Sequence, residues 1–167
     1  MTSTSALNIA VVTVSDTRTE DTDKSGLVLV ESLRAAGHNL HSKFIIKDDV
    51  YQLREIVSRH IADASVQAVL MTGGTGFTAR DNTLKAIKPL FDVDIEGFGE
   101  LFRHLSYAEI GSSTIQSRAF AGMANGMIIF CLPGSPGACR TGWDLIISEQ
   151  LNQAHKPCNF TDKLKKN

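Results

Sequence analysis

The chain has 167 residues, 43% hydrophobic and 21% charged, with a formal net charge of −1. A length of this order lets one hydrophobic core serve the whole chain, so a single domain over residues 1–167 is expected, its core at about 7–152 and a polar Lys-rich tail at 153–167, and the composition argues against disorder. The small charge, with no long basic run, excludes the field that draws a protein onto nucleic acid or an anionic membrane. No apolar run approaches the ~18 to 20 residues of a membrane span, so a small-molecule ligand is expected.

In chain order, residues 7–14 (LNIAVVTV) form a continuous β-branched run, the pattern of a strand covered on both faces. After a polar loop, Ser25 opens a helix with Leu27, Val30 and Leu33 on one face, closed by Gly37. A second strand ends at Lys47-Asp48-Asp49, and Leu53, Ile56, Val57, His60 and Ile61 follow at helical spacing, with His60 read as a core or interface residue. Residues 66–72 (VQAVLMT) form a third strand that runs into Gly73-Gly74-Thr75-Gly76. Over 77–116 the pattern is mixed: Pro89 interrupts a short helix, and Phe98, Leu101, Phe102 and Leu105 fall at helical spacing. Two apolar runs, 119–124 and 127–132, flank Asn125-Gly126, the strongest short hairpin signal because both turn positions need positive φ. Pro133-Gly134-Ser135-Pro136-Gly137 then breaks the chain before a last helix bearing Trp143, Ile146, Ile147 and Leu151 on one side. Alternating strands and helices of this kind predict an α/β fold, a three-layer α/β/α sandwich with a mostly parallel sheet and one antiparallel hairpin. Cys131, Cys139 and Cys158 are odd in number and lack CxxC spacing, which reads as reduced thiols of a cytoplasmic protein.

In such sheets ligands collect at the carboxyl ends of the strands. Four polar loops should meet there: Ser15-Asp16-Thr17-Arg18, Lys47-Asp48-Asp49, residues 72–81 and residues 133–136. In TGGTGFTARD, glycines let backbone amides approach an anion, a helix beginning near Asn82 adds its positive end, and Arg80 supplies a charge. The rival reading is steric, since any tight strand-to-helix turn favours glycine. Asp81 can hold a metal ion or cap the helix, Asp48 and Asp49 can be N-terminal caps of the next helix, and Ser25 can cap its own, while Gly26 leaves room for a ligand at that helix start. Gly74-x-Gly76-x-x-Ala79, with Asp92, Asp94 and Glu96 beyond it, formally matches a dinucleotide fingerprint, but it follows the third strand and Pro89 interrupts its unit, so a nucleotide-cofactor oxidoreductase ranks last. No Walker sequence is present.

Taken together, SDTR at 15–18, DKSG at 23–26, TGGTG at 72–76 with RD at 80–81, EGFGE at 96–100, SR at 117–118 and PGSPGA at 133–138 resemble the MogA/MoaB family of molybdenum cofactor biosynthesis proteins. That family includes the N-terminal domain of gephyrin and its plant counterpart. The resemblance covers roughly residues 7–160, and the ending CRTGWDLIISEQL…PCNF is most similar to the MoaB branch. It implies a molybdopterin-binding α/β/α domain assembled as homotrimers or homohexamers. Active members transfer AMP from ATP, with Mg2+, onto the terminal phosphate of molybdopterin and release pyrophosphate. Their two essential carboxylates match Asp48 and Asp81, both toward the metal, with Asp49 an adjacent candidate. The resemblance further implies nucleotide or pterin binding by Ser15, Asp16, Asp23, Ser25, Gly26, Thr72, Gly73, Gly74, Thr75, Gly76, Arg80, Ser117, Arg118, Pro133, Gly134, Ser135 and Pro136. Some members of the MoaB branch replace the first carboxylate and do not adenylylate. Here Asp48 is present, which favours the enzyme over a non-catalytic pterin-binding or scaffold role.

Overall fold

A computed structural model describes residues 5–166. Strands β1 (Asn8–Val14), β2 (Asn39–Ile46), β3 (Ala68–Thr72), β4 (Val93–Asp94), β5 (Phe120–Ala124) and β6 (Met127–Leu132) form one six-stranded sheet in the order β2-β1-β3-β6-β5-β4. The β2, β1, β3 and β6 strands run parallel, β5 is antiparallel to β6, and β4 is antiparallel to β5.

Both faces of the sheet are covered, and side chains alternate between two apolar cores as strand geometry requires. Ile9 and Val11 of β1 point into one core with helices α1 (Lys24–Ala35), α4 (Glu96–Ile110) and α5 (Pro136–Gly142), whereas Ala10, Val12 and Val14 point into the other with α2 (Val50–Ala62) and α3 (Thr83–Ile87). This is why β1, β3 and β6 read as uninterrupted apolar runs, whereas the edge strand β2 mixes polar and apolar residues. The helix α5 continues through a π-helical turn (Trp143–Ile147), and Trp143, Ile146, Ile147 and Leu151 are all buried as their spacing predicted.

The Asn125-Gly126 turn connects β5 to β6 with positive φ at both residues, 49° and 69°, the geometry that matches the twist of a hairpin. The two-residue strand β4 was not expected from the mixed FDVDIEGF stretch. It is held on the sheet edge by Asp92 N–H to Met123 O and Ile95 N–H to Ala121 O, at 2.8 and 2.9 Å. Two expected core positions are corrected. Leu27 is 52% exposed because α1 turns Val28, Leu29, Val30 and Leu33 inward, and Leu101 is 43% exposed because α4 turns Phe98 and Phe102 into the core, with Leu105 half-buried against it. Within the polar C-terminal stretch, Leu164 joins the same apolar core as Ile9 and Val11, and Lys165 N–H bonds Gly126 O at 2.8 Å.

Candidate functional site

The carboxyl ends of β1, β2, β3 and β6 lie on one edge of the sheet, and the loops that follow them meet there. At their centre is Asp48, only 9% exposed, on the loop after β2. Its Oδ1 accepts the Asn82 backbone N–H at 3.0 Å, and Asn82 Nδ2 reaches back to Asp48 O at 3.3 Å. Burial pushes the Asp48 carboxyl above its ordinary value. The Asn82 hydrogen bonds oppose that rise, and the charges of Asp81 and Asp16 add to it. A buried acid placed among other acids is a site that a cation would relieve.

The structure separates the two adjacent carboxylates of that loop. Asp49 is the N-cap of α2, accepting Tyr51 and Gln52 N–H at 3.0 and 2.9 Å, which neutralises two donors that a helix start leaves unpaired. Asp48 takes no part in that cap and faces the loop after β3.

Asp81 closes that loop on itself. Oδ1 accepts Gly76 N–H at 3.1 Å, and Oδ2 accepts Thr78 N–H and the Thr78 hydroxyl at 2.9 and 2.6 Å. Burial raises its pKa, but these hydrogen bonds and the Arg118 charge outweigh it and hold the carboxyl below the usual value. Each carboxylate oxygen has two lone-pair sites, so Oδ1 keeps one available. Among the described residues, no three His, Cys, Asp or Glu side chains converge as a ready metal cage.

The glycines of the loop serve close packing. A Cβ on Gly73 would lie 2.3 Å from Val14 O, one on Gly74 would lie 2.2 Å from Thr83 Oγ1, and one on Gly76 would meet the Asp81 carboxylate at 2.8 Å. Gly73 and Gly74 also need positive φ, 103° and 68°. Gly73 N–H is bound to Leu132 O and Gly76 N–H to Asp81, so the cradle expected from all four amides reduces to those of Gly74 and Thr75, which have no hydrogen-bond partner among the described residues. Arg80 does not stand free either: its Nε donates to Asp16 Oδ2 at 3.0 Å, and Nη2 donates to the same oxygen. The Arg80 guanidinium holds the Asp16 carboxyl below its usual range, while Asp16 Oδ1 accepts the Asp48 N–H at 3.2 Å.

Beside this acidic group lies a small hollow of about 60 Å³ lined by Thr13, Ser15, Arg18, Asp23, Ser25, Thr72 and Gly134. Sequence reasoning placed a cap at Ser25 and a ligand at Gly26, and both are corrected. Asp23 caps α1, its Oδ1 accepting Gly26 N–H at 2.9 Å, and its Oδ2 would sit 2.2 Å from any Cβ on residue 26, so the space is filled by the protein's own carboxylate. Asp23 also accepts the Thr13 hydroxyl at 2.7 Å and pairs with Lys43 at 3.0 Å. Burial raises its pKa, and these partners bring it below the ordinary value. Thr72 Oγ1 and Ser25 Oγ donate to the carbonyls of Pro133 and Gly134 at 2.9 and 3.0 Å, drawing the Pro-Gly turn against the glycine loop. Ser135 caps α5 through Ala138 N–H at 3.1 Å, with Pro136 at the first helical position, and Ser15 Oγ accepts Thr17 and Arg18 N–H. Ser117 Oγ accepts Ala119 N–H, and Arg118 reaches the back of the glycine loop.

Asn82, Thr83 and Lys43 were missed. Asn82 orients Asp48, Thr83 Oγ1 donates to Gly73 O at 2.8 Å, and Lys43 neutralises Asp23 from the edge strand. The sequence signal for Asn82 was its place at a helix start directly after RD.

A family model described as "Probable molybdopterin binding domain" matches residues 10–153. The chain is similar to Molybdenum cofactor biosynthesis protein B of Escherichia coli (strain K12), 52% identical over 158 residues that cover 95% of this chain and 93% of that protein. It is 46% identical over 142 residues to the protein of the same name in Bacillus subtilis (strain 168), covering 84% of each. Among solved structures, it resembles a crystal structure of a Molybdenum cofactor biosynthesis protein B with TM-score 0.85, 46% identity and coverage of 87% of this chain and 91% of that one. It also resembles the tungsten cofactor synthesizing protein MoaB from Pyrococcus furiosus, with TM-score 0.72, 38% identity and coverage of 87% and 92%.

Proposed function

The chain belongs to the molybdopterin-binding domain family of molybdenum cofactor biosynthesis proteins, and from that premise we propose that it binds molybdopterin and transfers AMP from ATP to the pterin's terminal phosphate, releasing pyrophosphate. The observation that carries this reading is Asp48: a carboxylate buried at the meeting of the strand ends, beside Asp16 and Asp81, next to two backbone amides that have no partner among the described residues.

A phosphate monoester has a second pKa of about 6 and is already nucleophilic at neutral pH, so positioning and charge neutralisation are what the residues must supply. The amides of Gly74 and Thr75 bind phosphate oxygens, and Arg80, paired with Asp16 on the exposed rim, adds its charge. Asp48 suits a magnesium ion that keeps most of its waters, with the remaining lone pair of Asp81 Oδ1 as a second contact, since this metal is typically held by one or two carboxylates plus substrate phosphates. When bound, it would stabilise charge on the departing pyrophosphate. Asp48 and Asn82 hold that position, and Thr72 and Ser25 fix the turn that walls the hollow.

The reading includes a homotrimer or homohexamer in the cytoplasm. Large apolar side chains stand exposed at Leu101, Tyr107, Ile110, Ile115 and Leu145, the cysteines are unpaired, and among the described residues no helix is long and apolar enough to cross a membrane. A second reading, pterin binding without turnover, is favoured by one observation: Asp81 is already engaged by three donors of its own loop. Incubation with molybdopterin, ATP and magnesium, followed by chromatography, separates the two. Adenylylated pterin is expected, and tight pterin binding without product would establish the second reading instead.

A further inference from the structure

Arg118 was expected to contact ligand, but its side chain faces away from the hollow and into the back of the glycine loop. It lies in the segment leading to β5, and β6 stands between β5 and the strand that carries the loop. Its backbone N–H and its Nε both donate to Thr75 O, at 3.1 and 3.4 Å. Its Nη2 donates to Gly76 O and, at 3.1 Å, to Asp81 O. The ring of Phe77, 63% exposed, packs on the guanidinium with its centroid 4.9 Å from Cζ.

A peptide unit is planar and trans, so its C=O and N–H point in opposite directions, and holding one fixes the aim of the other. Thr75 O belongs to the peptide whose N–H is that of Gly76, and that N–H donates to Asp81 Oδ1 at 3.1 Å. Asp81 O belongs to the peptide whose N–H is that of Asn82, which donates to Asp48 Oδ1 at 3.0 Å. One guanidinium therefore grips the carbonyl ends of two peptides whose amide ends hold the two carboxylates. A cation at the carbonyl also polarises the peptide and strengthens the bond made by its N–H.

The geometry points to Arg118 as a positioning residue that sets Asp48 and Asp81 through the Asp81–Asn82 and Thr75–Gly76 peptides, touching neither substrate nor metal. This rests on the proposed function for its catalytic consequence, but not for its structural content. Lysine is a poor substitute, since a point charge on a flexible stem cannot span three carbonyls as a planar fork does.

The test is amide hydrogen exchange by NMR on the 15N-labelled full chain, comparing wild type with Arg118→Lys, and with Phe77→Ala as a milder variant that leaves the guanidinium in place. Protection at the Gly76 and Asn82 amides should fall roughly tenfold to a hundredfold in Arg118→Lys, as for loss of a charge-assisted hydrogen bond, and less in Phe77→Ala, with β3 amides such as Leu70 unchanged. Wild-type protection at Gly76 and Asn82 overturns the proposal, as does an equal loss throughout β3 and β6, which would make Arg118 a general support of the fold. Should Arg118→Lys not fold, the same pattern confined to the two amides in Phe77→Ala supports the assignment and its absence there overturns it. In the adenylylation assay, kcat should fall with KM for pterin and ATP little changed, and a rise in KM alone would mean that Arg118 contacts ligand. A wild-type protein without turnover sinks adenylyl transfer while the exchange data still decide the role of Arg118.

Discussion

The two ends of the sheet are built from the same strands and differ in what closes them. At the amino end lies an open cavity of about 420 Å³ bordered by Leu7, Gln67, Gln153, Leu164 and Lys165, and its polar groups mostly tie segments together, as Gln67 Oε1 does in accepting Asn8 N–H at 2.8 Å. At the carboxyl end the hollow is about 60 Å³, yet Asp23 lines it and the neighbouring strand-end loops carry Asp16, Asp48 and Asp81, with Asp23 and Asp48 buried. Space alone does not locate chemistry. What distinguishes the carboxyl end is charge held out of water, in arrangements that have an energetic cost unless something binds or compensates.

That contrast is broken most severely at Asp23, whose side chain is almost wholly buried against Lys43. Lys43 keeps Glu20 at 2.7 Å, but Asp23→Ala removes the α1 N-cap and the acceptor of the buried Thr13 hydroxyl, so it should lose about 2–4 kcal/mol in denaturant unfolding. A loss below about 1 kcal/mol, the size of an exposed pair, would mean that the network is a surface contact after all. The sign with pH follows from the direction of the shift. Asp23 is depressed below its ordinary 3.8, so its stabilisation is present above that value and disappears as pH falls through the lower folded-state pKa.

Asp48 should behave in the opposite sense. Asp48→Asn is expected to lower turnover about 10²- to 10³-fold, the scale for removing one preorganised electrostatic group, while pterin binding persists. Because burial raises its pKa, the folded state binds this proton more tightly than the unfolded chain, and stability falls as pH rises from the ordinary value through the raised one. The asparagine variant should lack that dependence and be at least as stable as wild type at neutral pH. Unfolding curves at several pH values check this, and a variant less stable at pH 7 would show that the Asp48 charge is compensated within the fold.

The layering of the fold was legible because strands buried on both faces leave no other pattern, and the Asn125-Gly126 turn because few dipeptides accept positive φ twice. Within the site, position along the chain was legible and direction was not. TGGTG marks a tight loop, but whether its amides face a ligand or Asp81 depends on contacts made by Thr83, Leu132 and Arg118 from other elements. Leu27 misled for a related reason: its apolar character fits either face of α1, and the inward face is set by packing against β1 and α5. Asp48 and Asp49 are indistinguishable by composition even with a helix expected near Val50, and they divide their roles only through contacts, Asp49 accepting the Tyr51 and Gln52 amides and Asp48 that of Asn82.

That division supplies the mildest expected effect. Asp49 accepts two α2 amides, so Asp49→Ala should lose about 1 kcal/mol of stability, within the 0.5–2 range for an N-cap, and Asp49→Ser should restore most of it because a hydroxyl accepts the same bonds. Turnover measured well below the melting range should stay near wild type, since the cap bonds point along α2 while Asp48 is held by Asn82 on the other side of the loop. If Asp49→Ala instead cost turnover as heavily as Asp48→Asn, with Asp49→Ser failing to rescue it, the carboxylate itself rather than its capping oxygen would be needed, and the functional acid of this loop would be Asp49.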